Sequence, residues 1–273
     1  WRISMCLVNE FVSNSNMKPA LNVSGDEKEL ILQLRRYLEE KLTYLLDQNG
    51  TVSIGVSGGS MPRVFSKAIL SLPQEQLNWK RIRIFMVDER NVDLDSEESN
   101  QGEYLRLFPN ELRDVFVPMQ IFKDPCLTAQ HYEISLRKYL LPEQLNNTAR
   151  FDILFLGVGP DGHTASIFPG KERLEKITEL NWVSVITDSP KPPPSRITLT
   201  LQTLQHAKNV AFIICGKQKA EIVRGICDRD QKYPAAQARP FNDKLTLFLD
   251  EDAATGVPDR DSSDSDSPPP FDG

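Results

Sequence analysis

The sequence predicts an α/β protein: a doubly wound, mostly parallel sheet with helices on both faces. Three observations carry this. Short apolar runs alternate with amphipathic helical stretches along most of the chain. The run Asp152–Leu156 has four apolar residues in succession, the mark of a strand buried on both faces. Polar clusters follow directly on three of the strands, at 57–60, 88–90 and 157–163. In parallel sheets ligands sit beyond the carboxyl ends of the strands, which puts all three clusters on one edge.

The elements follow in order. Ser24 and Glu27 have capping-box spacing, and Leu30, Ile31, Leu34, Leu38, Leu42, Leu45 and Leu46 then share one helical face, ended by Gly50. Thr51–Val56 reads as a strand entering Ser57-Gly58-Gly59-Ser60. A helix follows from about Pro62 to Leu70, with its proline in the first turn. Arg81–Val87 is the next strand and ends in Asp88-Glu89-Arg90. Glu98–Leu107 reads as helix, Met119–Phe122 as a short strand and Thr128–Leu140 as helix. Beyond Asp152–Leu156, strands are expected at Trp182–Ile186, Arg196–Leu201, Asn209–Cys215 and Leu245–Leu249, with a helix over Lys217–Cys227. Residues 1–23 read as an N-terminal extension, 24–250 as the folded domain and 251–273 as a tail. The chain begins at Trp1, and Met5 or Met17 reads as a candidate start.

Composition excludes several classes of function. The chain has 273 residues and 40% apolar content, enough for one large α/β domain. The segment Glu251–Gly273 carries the whole net charge of −6; the rest is balanced. With its Ser, Asp and Pro content this tail cannot bury apolar surface and reads as solvated coil. No apolar stretch approaches the ~20 residues of a membrane span. No basic block points to nucleic acid. Cys6, Cys126, Cys215 and Cys227 are scattered and read as reduced thiols, and His131, His163 and His206 are too dispersed for a metal site. The expectation is a cytoplasmic, monomeric protein without metal or cofactor, and sequons at Asn22 and Asn146 carry no weight in such a chain.

Four clusters bear on chemistry. Gly55-Val-Ser57-Gly-Gly59 matches the nucleophile elbow G-x-S-x-G and would make Ser57 a nucleophile. It comes after the first recognisable strand, too early for an elbow. As a phosphate cradle it makes better sense: glycines admit the anion, the Ser57 and Ser60 hydroxyls and the backbone N–H groups donate, and a helix dipole follows. Gly157-Val-Gly159-Pro-Asp-Gly162 matches the dinucleotide fingerprint weakly, because Asp161 would repel a pyrophosphate. A tight turn presenting Asp161 to His163 fits better, the carboxylate fixing the tautomer and raising the basicity of the other nitrogen. Asp88-Glu89-Arg90 would be a solvated triplet in most loops, but at this edge Arg90 can hold an oxyanion or phosphate. In Ser189–Arg196, four prolines stiffen a loop carrying Lys191 and Arg196, two cations suited to a dianionic phosphate.

These residues resemble the 6-phosphogluconolactonase family, which shares a Rossmann-like fold with the glucosamine-6-phosphate deaminases. The resemblance rests on Gly55–Ser60, Asp88–Arg90, Glu98-Ser-Asn100 with Tyr104, Phe151–Pro169, Asp188–Leu199 and Gly216-Lys217 with Ala220. The deaminase branch has a different run after Asp161-Gly-His163 and wants Tyr in place of Arg90. The resemblance implies hydrolysis of 6-phosphoglucono-δ-lactone, the second step of the oxidative pentose phosphate pathway, by water attack without metal or nucleotide. It implies His163 as base, oriented by Asp161, with Arg90 and Lys191 at the carbonyl or phosphate. Arg196 and Ser57, Gly58, Gly59 and Ser60 would complete the phosphate side. A deaminase-like sugar-phosphate isomerase and a serine esterase using Ser57 are the alternatives.

Overall fold

A computed structural model describes residues 17–48, 50–73, 77–140, 149–170 and 182–258. Its strands are β1 (Ala20–Ser24), β2 (Val52–Val56), β3 (Ile82–Met86), β4 (Asp88–Arg90), β5 (Ile153–Leu156), β6 (Val183–Ile186), β7 (Arg196–Leu199), β8 (Val210–Ile214) and β9 (Leu245–Asp250). Six form one wholly parallel sheet in the order β1-β9-β8-β5-β2-β3. The central strands β2, β5 and β8 are buried at every residue, which is why their sequences are continuously apolar.

The register shows that helices cover both faces. Phe85, Gly55 and Leu154 lie side by side on one face, so Met86, Val56 and Phe155 lie on the other. Phe85 meets Tyr139 of the helix α4 (Pro125–Tyr139) edge to face, with centroids 6.2 Å apart. Phe155 meets Tyr37 of α1 (Glu27–Gln48) at 6.1 Å and Phe65 of α2 (Met61–Leu70) at 5.2 Å. The doubly wound prediction holds. Leu30, Leu34, Leu38, Leu42 and Leu45 are the buried stripe of α1, each contributing about 2 kcal/mol of apolar transfer.

The local expectations need five corrections. The cap of α1 is Asp26, whose carboxylate accepts from Glu29 N–H at 2.8 Å while the Glu29 carboxylate takes Gly25 N–H. Ser24 instead ends β1, its hydroxyl turned to Gln33. The strand β1 lies in the stretch read as an extension and pairs with β9, so the fold begins by Ala20. Its five residues are mostly exposed and carry little hydrophobic signal, which hid it. At the other end, Asp250 caps a short helix α8 (Glu251–Ala254) in which Ala253 is buried, so the fold continues past 250; residues 259–273 lie outside the described ones. Met119–Phe122 is not a strand: Met119 N–H goes to the Gln101 side chain and Phe122 N–H to Thr128.

The fifth correction bears on function. Strands β4, β7 and β6 form a separate antiparallel sheet of three strands, in that order. The triplet Asp88-Glu89-Arg90 is therefore a strand of this second sheet, with Asp88 and Glu89 buried. Helix α3 (Asn100–Leu107) follows it. Three short helices complete the description: α5 (Leu201–Gln205), α6 (Ala220–Cys227) and α7 (Pro234–Gln237). Among the described residues no helix is long and apolar enough to cross a membrane.

Candidate active site

The chain leaves β2 toward β3 on one side and later returns to β5 on the other. The carboxyl ends of β2 and β5 therefore border the crevice where the strand order reverses, the usual ligand position in open parallel sheets. A cleft of about 190 Å³ lies there. Ser57, Gly58, Gly59 and Ser60 line it from the end of β2, His163 from the end of β5, and Arg90 and Arg196 from the antiparallel sheet.

The β2 turn ends at the first residues of α2. Gly59 has φ +71°, a conformation that favours glycine, and Ser60 stands exposed at the helix start without capping it. The first-turn amides and the helix dipole therefore remain available to an anion. Ser57 is placed differently. Its Oγ accepts from Gly157 N–H at 3.3 Å and its carbonyl from the Tyr104 hydroxyl at 2.7 Å. Its hydrogen bonds include none to a histidine, and its φ is not in the left-handed region.

The Gly157–His163 turn brings His163 and Asp161 together. His163 Nδ1 is in a very short contact with an Asp161 carboxylate oxygen. A carboxylate only accepts, so Nδ1 carries the proton and Nε2 the lone pair. Gly159 makes the ring's position possible: a Cβ there would fall 2.0 Å from His163 Cε1 and Nδ1. Phe168 packs against the imidazole, with ring centroids 4.7 Å apart and the planes tilted by 34°. Burial pushes His163 below the ordinary histidine value, against the upward pull of Asp161, and Lys191 lowers it further. For Asp161 burial works upward, but the His163 hydrogen bond and the His163 and Lys191 charges prevail and hold it low. The pair is a neutral imidazole backed by an ionised carboxylate.

Lys191 is not among the residues lining the cleft. Its Nζ lies 3.8 Å from Asp161 Oδ1 and 3.5 Å from His163 Nδ1, behind the ring. Arg196 is in the cleft but 4% exposed. Its Nε donates to Pro193 carbonyl at 3.0 Å, and its Nη2 to the Lys191 and Pro192 carbonyls at 3.0 and 3.1 Å. Its Nη1 donates to Ser166 Oγ at 3.3 Å, and Ser166 donates on to Asp88 at 2.6 Å. The proline loop was expected to hold Arg196; Arg196 holds the loop. Among the described residues one Nη1 N–H of Arg196 is left without a partner.

Arg90 and Arg196 are directly paired across β4 and β7. Two like charges opposite each other are unfavourable in a sheet unless an anion answers them. Arg90 Nη1 donates to Glu98 carbonyl at 2.6 Å, and its buried Nε has no partner among the described residues.

Asp88, Asn100, Lys219 and Met61 also line the cleft, without a role assigned from the sequence, although Asp88 and Asn100 lie in motifs named there. Lys219 lies in a one-turn 3-10 helix, Lys217–Lys219, just past β8. Burial pushes its pKa down, against the charges of Cys215 and Asp250. The rule that found the other clusters, polar residues directly after an apolar strand, would have found Lys219. Asn100 needed the tertiary fold, because its approach to Gly58 crosses between β2 and α3.

A family model for glucosamine-6-phosphate isomerases/6-phosphogluconolactonase matches residues 25–247. The chain belongs to this family. A protein of Drosophila melanogaster named probable 6-phosphogluconolactonase is 36% identical over 250 residues, covering 89% of this chain and 98% of that one. The 6-phosphogluconolactonase of Rattus norvegicus is 34% identical over 242 residues, covering 86% and 92%. The crystal structure of 6-phosphogluconolactonase from Leishmania guyanensis superposes with a TM-score of 0.76 at 27% identity, covering 89% of this chain and all of that one.

Proposed function

We propose that this member of the family hydrolyses 6-phosphoglucono-δ-lactone to 6-phosphogluconate, as its relatives' names indicate for them. The observation that carries the reading is the juxtaposition in one cleft of the His163–Asp161 pair with the cross-strand arginines Arg90 and Arg196. A lactone is an activated ester, so water attacks it directly. His163 Nε2 takes the water's proton, and Asp161 stabilises the imidazolium that forms. The bond between water oxygen and lactone carbon forms as the carbonyl electrons move onto oxygen. Collapse of this intermediate breaks the ring C–O bond, and the proton on His163 returns to the departing ring oxygen.

The anions need separate partners. The α2 N-terminus with Gly58, Gly59 and Ser60, joined by Lys219 and the free Nη1 N–H of Arg196, forms the phosphate side. Arg90, with an unpartnered Nε–H, answers the charge developing on the carbonyl oxygen. Lys191 acts from behind the ring, balancing Asp161. Every group named belongs to one chain, so a monomer would hold a complete site. The serine-esterase alternative has no support in the hydrogen bonds of Ser57, whose Oγ is engaged by Gly157.

The test is direct: lactone disappearance and 6-phosphogluconate formation measured against the spontaneous hydrolysis rate. Turnover well above that rate, unaffected by a serine-directed phosphonate, is the expected result. No acceleration would refute the lactonase reading, and stoichiometric labelling of Ser57 would refute the water mechanism.

A further inference from the structure

Asn100 opens α3 at the cleft and is 1% exposed. Its placement is fixed from two directions. The backbone N–H donates to Glu89 Oε1 at 2.7 Å, and the side-chain Nδ2 donates to the Asp88 carbonyl at 2.9 Å. A carbonyl only accepts, so the atom on it is nitrogen and the free atom is Oδ1. Among the described residues Oδ1 is buried without a hydrogen-bond partner. It lies against the phosphate-side turn: a Cβ on Gly58 would fall 1.9 Å from it. Buried acceptors are ordinarily paired, and an unpaired one in a cleft is an acceptor awaiting a donor.

The substrate limits what that donor can be. A phosphate dianion and a lactone carbonyl present only acceptors, which Oδ1 repels. The donors of a sugar-phosphate lactone are its ring hydroxyls. Resting on the lactonase reading, we propose that Asn100 Oδ1 accepts a hydrogen bond from one ring hydroxyl and so selects the hydroxyl pattern of the substrate. Glu89 is the positioning residue behind it. Its wholly buried carboxylate accepts from the backbone amides of Arg90, Asn100 and Gln101 at 2.7–2.8 Å and from the Ser99 hydroxyl at 3.3 Å. One side chain thus locks the start of α3 to β4 and sets Asn100 and Arg90 relative to each other. The attacking water also carries donors, but an acceptor serving the water would act on every lactone alike.

A deoxy series separates the two. The wild-type protein is assayed on 6-phosphoglucono-δ-lactone and on its 2-, 3- and 4-deoxy counterparts, each corrected for spontaneous hydrolysis. One deoxy lactone is expected to lose roughly 5- to 100-fold in kcat/KM, the consequence of leaving a buried acceptor unpaired. Asn100→Ala should lose a similar factor on the parent lactone and nothing further on that deoxy compound. If the alanine variant fails to fold, judged by its melting temperature, the deoxy series on the wild type decides alone. Equal kcat/KM of the wild type on all four lactones overturns the proposal without any variant. So does a uniform loss across the series in Asn100→Ala. Turnover of the parent lactone by the wild type tests the lactonase reading separately.

Discussion

The groups behind the imidazole make opposite predictions for two substitutions. Asp161 raises the His163 pKa and Lys191 lowers it, while burial sets the low baseline. Asp161→Asn removes a charge-assisted hydrogen bond to Nδ1 and leaves Lys191 Nζ, 3.5 Å from that nitrogen, unopposed. The imidazole then stays neutral to lower pH, so the acid limb of kcat/KM moves down. The plateau falls as well, because a weaker base accepts the water's proton less readily and the imidazolium loses its counter-charge. A charge-assisted hydrogen bond is worth about 1.5–3 kcal/mol, or roughly ten- to a hundred-fold. The Asp161 side chain is 37% exposed, and solvent screening selects the lower end, about ten-fold. Lys191→Met removes the opposing cation, and the acid limb should move up with the plateau little changed. The assay is kcat/KM against pH below neutrality, where spontaneous lactone hydrolysis is slowest, with each point corrected for it. Acid limbs that stay in place, or move together, would refute the assignment of His163 as the titrating base tuned from its Nδ1 side.

Other outcomes follow from the same geometry. His163→Ala should lower kcat by roughly 10²–10⁴ with KM little changed, measured by the same assay in a variant of native melting temperature. Gly159→Ala puts a methyl 2.0 Å from the ring and 2.6 Å from Asp161 Oδ1, so the imidazole must move by about 1 Å or more; misplacement of that size costs about 10²-fold in kcat. Lys219→Ala should reduce kcat/KM for the phosphorylated lactone about ten-fold more than for unphosphorylated gluconolactone. Arg196→Ala should lower the melting temperature as well as activity, because it strips donors from the carbonyls of Lys191, Pro192 and Pro193, whereas Lys219→Ala should leave thermal stability near native.

Much of this protein was determined by the sequence alone. Apolar runs fixed five of the six parallel strands, all but the exposed β1, and the leucine stripe fixed the face of α1, because burial on two sides or one leaves a period in the residues. The pairing of Asp161 with His163 was legible because the two lie in a single turn. Polar clusters after strands located the site edge, since parallel order sends every carboxyl end the same way. What the tertiary structure decided involves residues far apart in the chain. The antiparallel sheet sets Arg90 opposite Arg196, and no local pattern marks which strand pairs with which. Lys191 and Arg196 look alike as cations on a proline loop, yet one stands behind the imidazole and the other is buried among backbone carbonyls. Asn100 is legible in the sequence as part of the Glu98-Ser-Asn100 match, with no role attached. Only the approach of α3 to the β2 turn, held by Glu89, leaves its Oδ1 buried without a partner. Hydrogen-bond satisfaction is a property of the folded surroundings, and a one-dimensional pattern does not contain it.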